Sequence, residues 1–282
     1  LPFYQGRSLN HLLAEQSPVF VKQYGVNSMA TIGFRGASAA QSAVLWNGIP
    51  ISSPAMGVSD VSVLNAGLFD HLSLQYGGSS ALFGSGNVGG ALLLEEEPAD
   101  FTKKEQLSLS LGLGSFGQKE TAAKALYQNS RWRFMLHAFY QLARNDFSYS
   151  GNNGQELRMD NARMRGAGAI FSADYNLGKP GDKPDETLSL RLWFQRFDRE
   201  IPPALFESFS VKKQADQSLR SLLQWQKKTA GSRWYVKLSL NRDKLQYQDG
   251  VVLPDNTNEA LQVYGELGWS WKVNQPRPKA GS

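Results

Sequence analysis

The sequence predicts two structures in one chain: a small mixed α/β domain punctuated by glycine, then a transmembrane antiparallel β-barrel contributing about eight strands. Three observations predict this. Residues 1–98 carry 3 basic and 6 acidic side chains with 13 of the 27 glycines, whereas residues 99–282 carry 27 basic, 19 acidic and 6 of the 7 tryptophans. Beyond Phe101 the apolar pattern has period two and persists over segments of about ten residues. No apolar run approaches the roughly 18 residues of a membrane helix, a test that barrel strands with their weaker signal do not have to pass.

In the first part, Ser8 before Leu9, Leu12 and Leu13 reads as an N-cap opening a short amphipathic helix. Val19–Lys22 and Thr31–Gly36 read as strands. Asn47-Gly48 between Val44-Leu45-Trp46 and Ile49-Pro50-Ile51 is a hairpin signal, because both turn residues tolerate positive φ. Pro50 cannot donate to a ladder, so its strand is expected to be short or at an edge. A short helix is expected over Val61–Phe69 and a strand over His71–Tyr76. Six glycines between Gly77 and Gly90 imply sharp turns and close packing. No Gly-Lys-Ser/Thr ending follows them, so they do not make a phosphate cradle.

In the second part, Leu107, Leu109, Leu111 and Leu113 alternate with polar residues, and Trp132 to Leu142 repeats the design. Thr187 to Gln195 does so as well, except that Trp193 intrudes on the polar face. Trp234 to Asn241 and Leu261 to Trp271 follow the same pattern, with weaker versions at Lys119–Gln128, Arg163–Leu177 and Ser218–Gln226. Long connections at 145–161, 199–217 and 248–258 alternate with short ones at Asn129-Ser130, 178–185 and Ala230-Gly231. Long and short connections therefore fall at opposite ends of the sheet. Trp132, Trp225, Trp234, Trp269 and Trp271 all land at the short-connection end, as an interfacial aromatic girdle would.

Residues 8–98 resemble the plug domain of TonB-dependent outer-membrane receptors. Phe34, Arg35 and Gly36 match the end of its first strand signature. Val44, Leu45, Asn47, Gly48, Ile49 and Pro50 match its strand-turn-proline element, and Phe83, Gly84, Gly86, Gly89 and Gly90 match its glycine-rich end. Asn47 stands where the family has aspartate, and Tyr76-Gly77-Gly78 stands where it has Arg-Gly-Pro. The resemblance implies a plug over 1–98 inside a barrel of 22 strands, of which 99–282 supply about eight. The remaining segment is expected in the same or a separate chain, and the Ton box is expected upstream of Leu1. It also implies that Arg35 anchors the plug to barrel acids. Arg199-Glu200-Ile201-Pro202-Pro203 looks like a loop of cobalamin-type receptors of Bacteroidota.

Active import of a scarce, large small-molecule ligand is the function so implied, cobalamin or a related corrinoid first and a siderophore-metal complex second. The implied partners are a TonB-type energy-coupling protein in the inner membrane and a surface-exposed lipoprotein. A non-transporting surface-binding or secretion-associated barrel is the competing class. Ligand capture is expected from loops 145–161 and 199–217, through Phe147, Tyr149, Asn152, Asn153, Phe206 and Phe209. Asp146 and Asp160 are the candidate hard-oxygen ligands for calcium in those external loops. Enzyme chemistry has little to stand on. Cysteine is absent, His11, His71 and His137 lack metal-ligand spacing, and no serine sits in a Gly-x-Ser-x-Gly elbow. The positive charge of the second part is spread without a stripe, which argues against nucleic acid.

Overall fold

Turn signals and alternation become strands in the computed structural model, which describes residues 6–34, 36–54, 56–77, 89–151, 154–179, 185–204, 207, 209–250 and 255–271. Helix α1 (Leu9–Gln16) buries Leu9, Leu12 and Leu13, and Ser8 occupies its N-cap without a side-chain cap bond. Strands β1 (Phe20–Gln23) and β2 (Ala30–Gly33) form an antiparallel pair. The second stops at Gly33, short of the expected Gly36, because the Ala37 N–H turns back onto the Phe34 carbonyl at 2.7 Å.

Strands β3 (Ser42–Trp46) and β4 (Ile49–Pro50) form the expected hairpin, with φ of 48° at Asn47 and 84° at Gly48. With β5 (His71–Tyr76) and β6 (Gly90–Glu95) they build a sheet in the order β4-β3-β6-β5, in which β3 and β6 run parallel and Pro50 lies on the edge strand. The single helix expected over Val61–Phe69 is instead two 3-10 turns, Val61–Val63 and Ala66–Leu68. Asn65 divides them: its side chain accepts the Gly67 N–H and so offers the backbone an alternative to continuous helix.

The second part is an eight-stranded antiparallel meander. Its members are β7 (Lys104–Leu113), β8 (Lys119–Gln128), β9 (Trp132–Ala143), β12 (Met164–Asn176), β13 (Glu186–Glu200), β14 (Lys213–Lys228), β15 (Ser232–Gln248) and β16 (Asn256–Trp271). A small hairpin, β10 (Ser148–Ser150) with β11 (Glu156–Arg158), rises between β9 and β12. Strands β7 and β16 are the sheet's edges, and no pairing closes it among the described residues. Strands β13 to β15 overrun their expected ends. The connection expected at 199–217 therefore shrinks to 201–212, and Arg199 and Glu200 lie in a strand and not in a loop.

The two faces differ in chemistry. One register row outward reads Leu136, Phe171, Leu192, Ser221, Leu240 and Val263. On β16 the outward run from Leu261 to Trp271 spans roughly 33 Å, which at the usual tilt of about 40° covers the ~25 Å apolar band of a membrane barrel. The rim tryptophans cluster as expected: Trp234 stacks on its cross-strand partner Trp269 at 5.1 Å, and Trp132 lies 4.4 Å from Tyr175. The inward face carries Arg133, His137, Gln141, Asp174, Gln195, Arg199, Arg220 and Asn241, all buried because the N-terminal unit packs against them.

Candidate functional site

The contact between the N-terminal unit and the inward wall is the most elaborate site in the molecule, and the residues that make it come from every layer of the fold. Near the long-connection end, Asp60 is the junction. Its Oδ1 accepts the Ala30 N–H at 3.0 Å and the Ser62 N–H at 3.0 Å, so one carboxylate ties the start of β2 to the first 3-10 turn. Its Oδ2 accepts Arg199 Nη1 and Nη2 at 3.2 and 3.3 Å, and Arg199 Nη2 also donates to Asp216 Oδ2 at 2.6 Å. The Arg199 side chain is 1% exposed. A guanidinium this dry persists because two carboxylates and the Ser62 hydroxyl, at 3.0 Å, take its donors. Beside it, Asn27 at φ 55° bonds to the Ala162 and Glu200 carbonyls and accepts Asn145 Nδ2 at 2.9 Å.

At mid-height the contact is aromatic. Trp193, the residue that breaks the polar alternation, is fully buried, edge-on to Trp46 at 5.3 Å and to Phe69 at 5.4 Å. The Arg220 guanidinium lies over its ring at 4.6 Å. Lys124 pairs with Asp70, whose Oδ1 is also 3.6 Å from His137 Nε2. Burial pushes the Asp70 carboxyl up, but the Glu97 N–H and the Lys124 ammonium outweigh it and hold the group below the usual carboxylate range. His137 Nδ1 donates to the Leu68 carbonyl at 2.8 Å, and Asn65 Nδ2 donates to Gln141 Oε1 at 3.1 Å.

Toward the short-connection end, Arg191 Nε meets Glu96 at 3.0 Å and its Nη2 meets Asp174 at 2.8 Å. Arg133 takes the other oxygen of Asp174 at 2.9 Å, and Ser172 donates to Glu96. Lys237 donates to the Asn47 carbonyl at 2.9 Å, so the hairpin turn itself touches the wall. In these pairs acids on the N-terminal unit meet cations on the wall, while Arg7 meets Glu120 of the wall in the opposite sense at 3.8 Å. Arg35 lies outside the described residues.

The other candidate residues sort as follows. Phe34 is buried, edge-on to Tyr76 at 5.5 Å. Gly36 has φ +80°, and a Cβ on Gly90 would stand 2.7 Å from the Phe34 ring, while one on Gly89 would collide with Ala37. Phe83, Gly84, Gly86, Asn152, Asn153 and Phe206 lie outside the described residues. Phe147 packs edge-on to Phe116 at 5.7 Å, Tyr149 sits in β10, and Phe209 is 64% exposed. Asp146 is paired with Arg158 at 2.7 Å, and Asp160 caps the Asn161 N–H at 2.8 Å. No cluster of three or more His, Cys, Asp or Glu that could hold a metal forms among the described residues.

The model of the TonB-dependent Receptor Plug Domain matches residues 3–91. This N-terminal unit is similar to a TonB-dependent receptor plug. None of the curated proteins matches the chain's sequence. Solved structures match the fold of plug and wall together. The FrpB iron transporter from Neisseria meningitidis, F5-1 variant, aligns over 96% of this chain and 43% of its own at 13% identity and a TM-score of 0.74. The ferric yersiniabactin uptake receptor FyuA from Yersinia pestis aligns over 95% and 43% at 12% identity and 0.72. The copper transporter OprC aligns over 94% and 50% at 15% identity and 0.57. The chain thus spans half or less of the length of these structures. The plug contacts just described are what holds the two units together here.

Proposed function

We propose that residues 1–98 are the plug and 99–282 the first wall strands of a TonB-dependent outer-membrane importer whose cargo is a metal chelate of the siderophore class. The observation that carries this reading is a plug fixed to a polar inner wall by desolvated ion pairs, behind an outer face of exposed leucine, valine and tryptophan. Such a plug blocks a pore and can be displaced as a unit. The energy to move it would come from a TonB-type protein in the inner membrane. The printed cargoes of the structural neighbours, iron, ferric yersiniabactin and copper, favour a metal chelate over a corrinoid. The run that suggested a corrinoid, Arg199 to Pro203, begins with a guanidinium committed to Asp60 and Asp216, which takes its first residue out of ligand contact.

The test is uptake of a radio-iron siderophore panel and of labelled cyanocobalamin by cells carrying the whole protein, with and without a protonophore. Ferric-siderophore uptake abolished by the protonophore is expected. Cobalamin uptake alone would replace the cargo, and binding without energy-dependent uptake would favour the surface-binding class.

A further inference from the structure

The hairpin turn that touches the wall brings together the parts of a covalent reaction. Asn-Gly occurs at two places in the chain, Asn47-Gly48 and Asn153-Gly154. In any Asn-Gly the glycine nitrogen can close on the asparagine side-chain carbon, because glycine has no Cβ to obstruct the approach. The surroundings set the first of them apart. Lys237, reaching inward from β15, places its ammonium 2.9 Å from the Asn47 carbonyl oxygen and also pairs with Glu266 at 3.7 Å. A Cβ on Gly48 would stand 2.7 Å from that ammonium, so the approach depends on the residue being glycine. Asn47 Nδ2 donates to Glu96 Oε1 at 3.5 Å, and the second oxygen of Glu96 is held by Arg191 at 3.0 Å. Asn47, Glu96 and Lys237 border a cleft of about 590 Å³ between plug and wall, polar and roomy enough for water.

We propose that Asn47 is a self-modifying site: it loses its side-chain amide by cyclising onto Gly48, Lys237 accelerates the ring closure, and the product unseats the hairpin from the wall. When the Gly48 nitrogen gives its proton to solvent, negative charge spreads onto the Asn47 carbonyl oxygen, the atom that the ammonium already faces. That nitrogen bonds to Asn47 Cγ, the Cγ–Nδ2 bond breaks, and the amine leaves as ammonia with a proton from solvent. Water then opens the five-membered imide at either carbonyl, giving aspartate or isoaspartate. Nothing is oxidised or reduced, and water is the only co-reactant. A hydrogen bond from a charged donor is strong enough to speed such a ring closure roughly tenfold.

Either product weakens the contact that made it. Isoaspartate carries the main chain through Cβ, which adds an atom to the tight turn between Trp46 and Ile49 and takes the carbonyl away from Lys237. Aspartate sets a second carboxylate beside Glu96, in place of an amide that donated to it. The plug of an aged copy is therefore held less firmly toward the short-connection end. The proposal rests on the contact between plug and wall, and not on the cargo.

The experiment ages the whole protein in mild detergent at neutral pH and follows both Asn-Gly peptides by mass spectrometry, reading loss of ammonia and then the change from amide to acid. Conversion at Asn47 is expected to run severalfold faster in the folded wild-type protein than in the same protein unfolded in guanidinium chloride. In K237M it should slow roughly tenfold, with Asn153 unchanged as the internal reference. A lysine that merely braced the turn would show the opposite sign, since its loss would loosen the turn and speed conversion. Folded wild-type protein converting no faster than unfolded would overturn the proposal whether or not the variant folds, and so would K237M keeping pace with wild type. Bilayer conductance of the aged samples reads the consequence. Leak should rise with conversion in the wild type and stay level in N47Q, whose longer side chain must close a six-membered ring; equal leak in the two would overturn the unseating.

Discussion

Arg199 shows how a single side chain can hold two structures together. It is buried between Asp60 of the plug and Asp216 of the wall, so Arg199→Ala strands two carboxylates at once. A cost of about 3–5 kcal/mol is expected, read as a lowered denaturation midpoint and as faster amide exchange at Ala30 and Ser62, whose N–H groups bond to Asp60. Arg199→Lys should restore little, because an ammonium cannot span both acids in the fork geometry. Wild-type exchange at those amides would show that the pair is ornamental. Asp70 gives a pH signature. Its folded carboxyl titrates below its ordinary value, so its contribution is fully present above the unfolded pKa of about 3.9 and is lost as pH falls through the lower folded value. Lys124 from β8, His137 from β9 and the Glu97 N–H face it. This carboxyl should therefore leave plug protection unchanged between pH 7 and 5, and Asp70→Asn should flatten the loss seen below pH 4.

Among the elements, β13 carries the most. It places Arg191, Trp193 and Arg199 on one inward line, meeting the plug low, midway and high. Trp193→Ala should open a cavity between Trp46 and Phe69 and cost about 3–5 kcal/mol; thermal unfolding of the whole protein measures it, and a shift of under a degree would contradict the packing. The connection 201–212 is the element nearest the mouth whose removal need not disturb the wall. Asn161 Nδ2 ties its two ends, at the Ile201 and Lys212 carbonyls, both at 2.9 Å. Deleting 203–208 while keeping those ends should weaken cargo binding at least tenfold, at about 1.4 kcal/mol per decade, and leave barrel assembly intact. Unchanged affinity, measured by cargo titration, would remove this connection from ligand capture. The sequence showed these elements unevenly. Period-two alternation disclosed every wall strand, since an apolar outer face and a polar inner face force it. It hid where β13 to β15 end, because beyond the apolar outer rows both faces are polar and alternation vanishes while pairing goes on. The plug anchors were hidden for a different reason: Arg191 read as an ordinary polar-face residue and Arg199 as the start of a loop, and only Trp193, a large apolar ring on the polar face, signalled that something covered that face.

For the molecule as a whole, the sign of the plug contacts decides what remains when they part. Asp60, Asp70 and Glu96 would depart with the plug, whereas Arg199, Lys124 and Arg191 belong to the wall. Withdrawing the plug would remove three acids and one base, Arg7, from one passage; Arg199 and Arg191 keep Asp216 and Asp174, and Glu120 is bared, so the passage gains positive charge on balance. Rings of basic side chains make a pore prefer anions. The vacated passage should accordingly be permselective: with residues 6–98 deleted from the whole protein, the reversal potential across a potassium chloride gradient should take the chloride sign, and Arg191→Gln with Lys124→Gln should move it toward zero. A cation-selective pore would refute this. The resting plug would then act as a set of counter-ions, and its withdrawal would switch on an inward-drawing field for a negatively charged chelate at the moment the path clears.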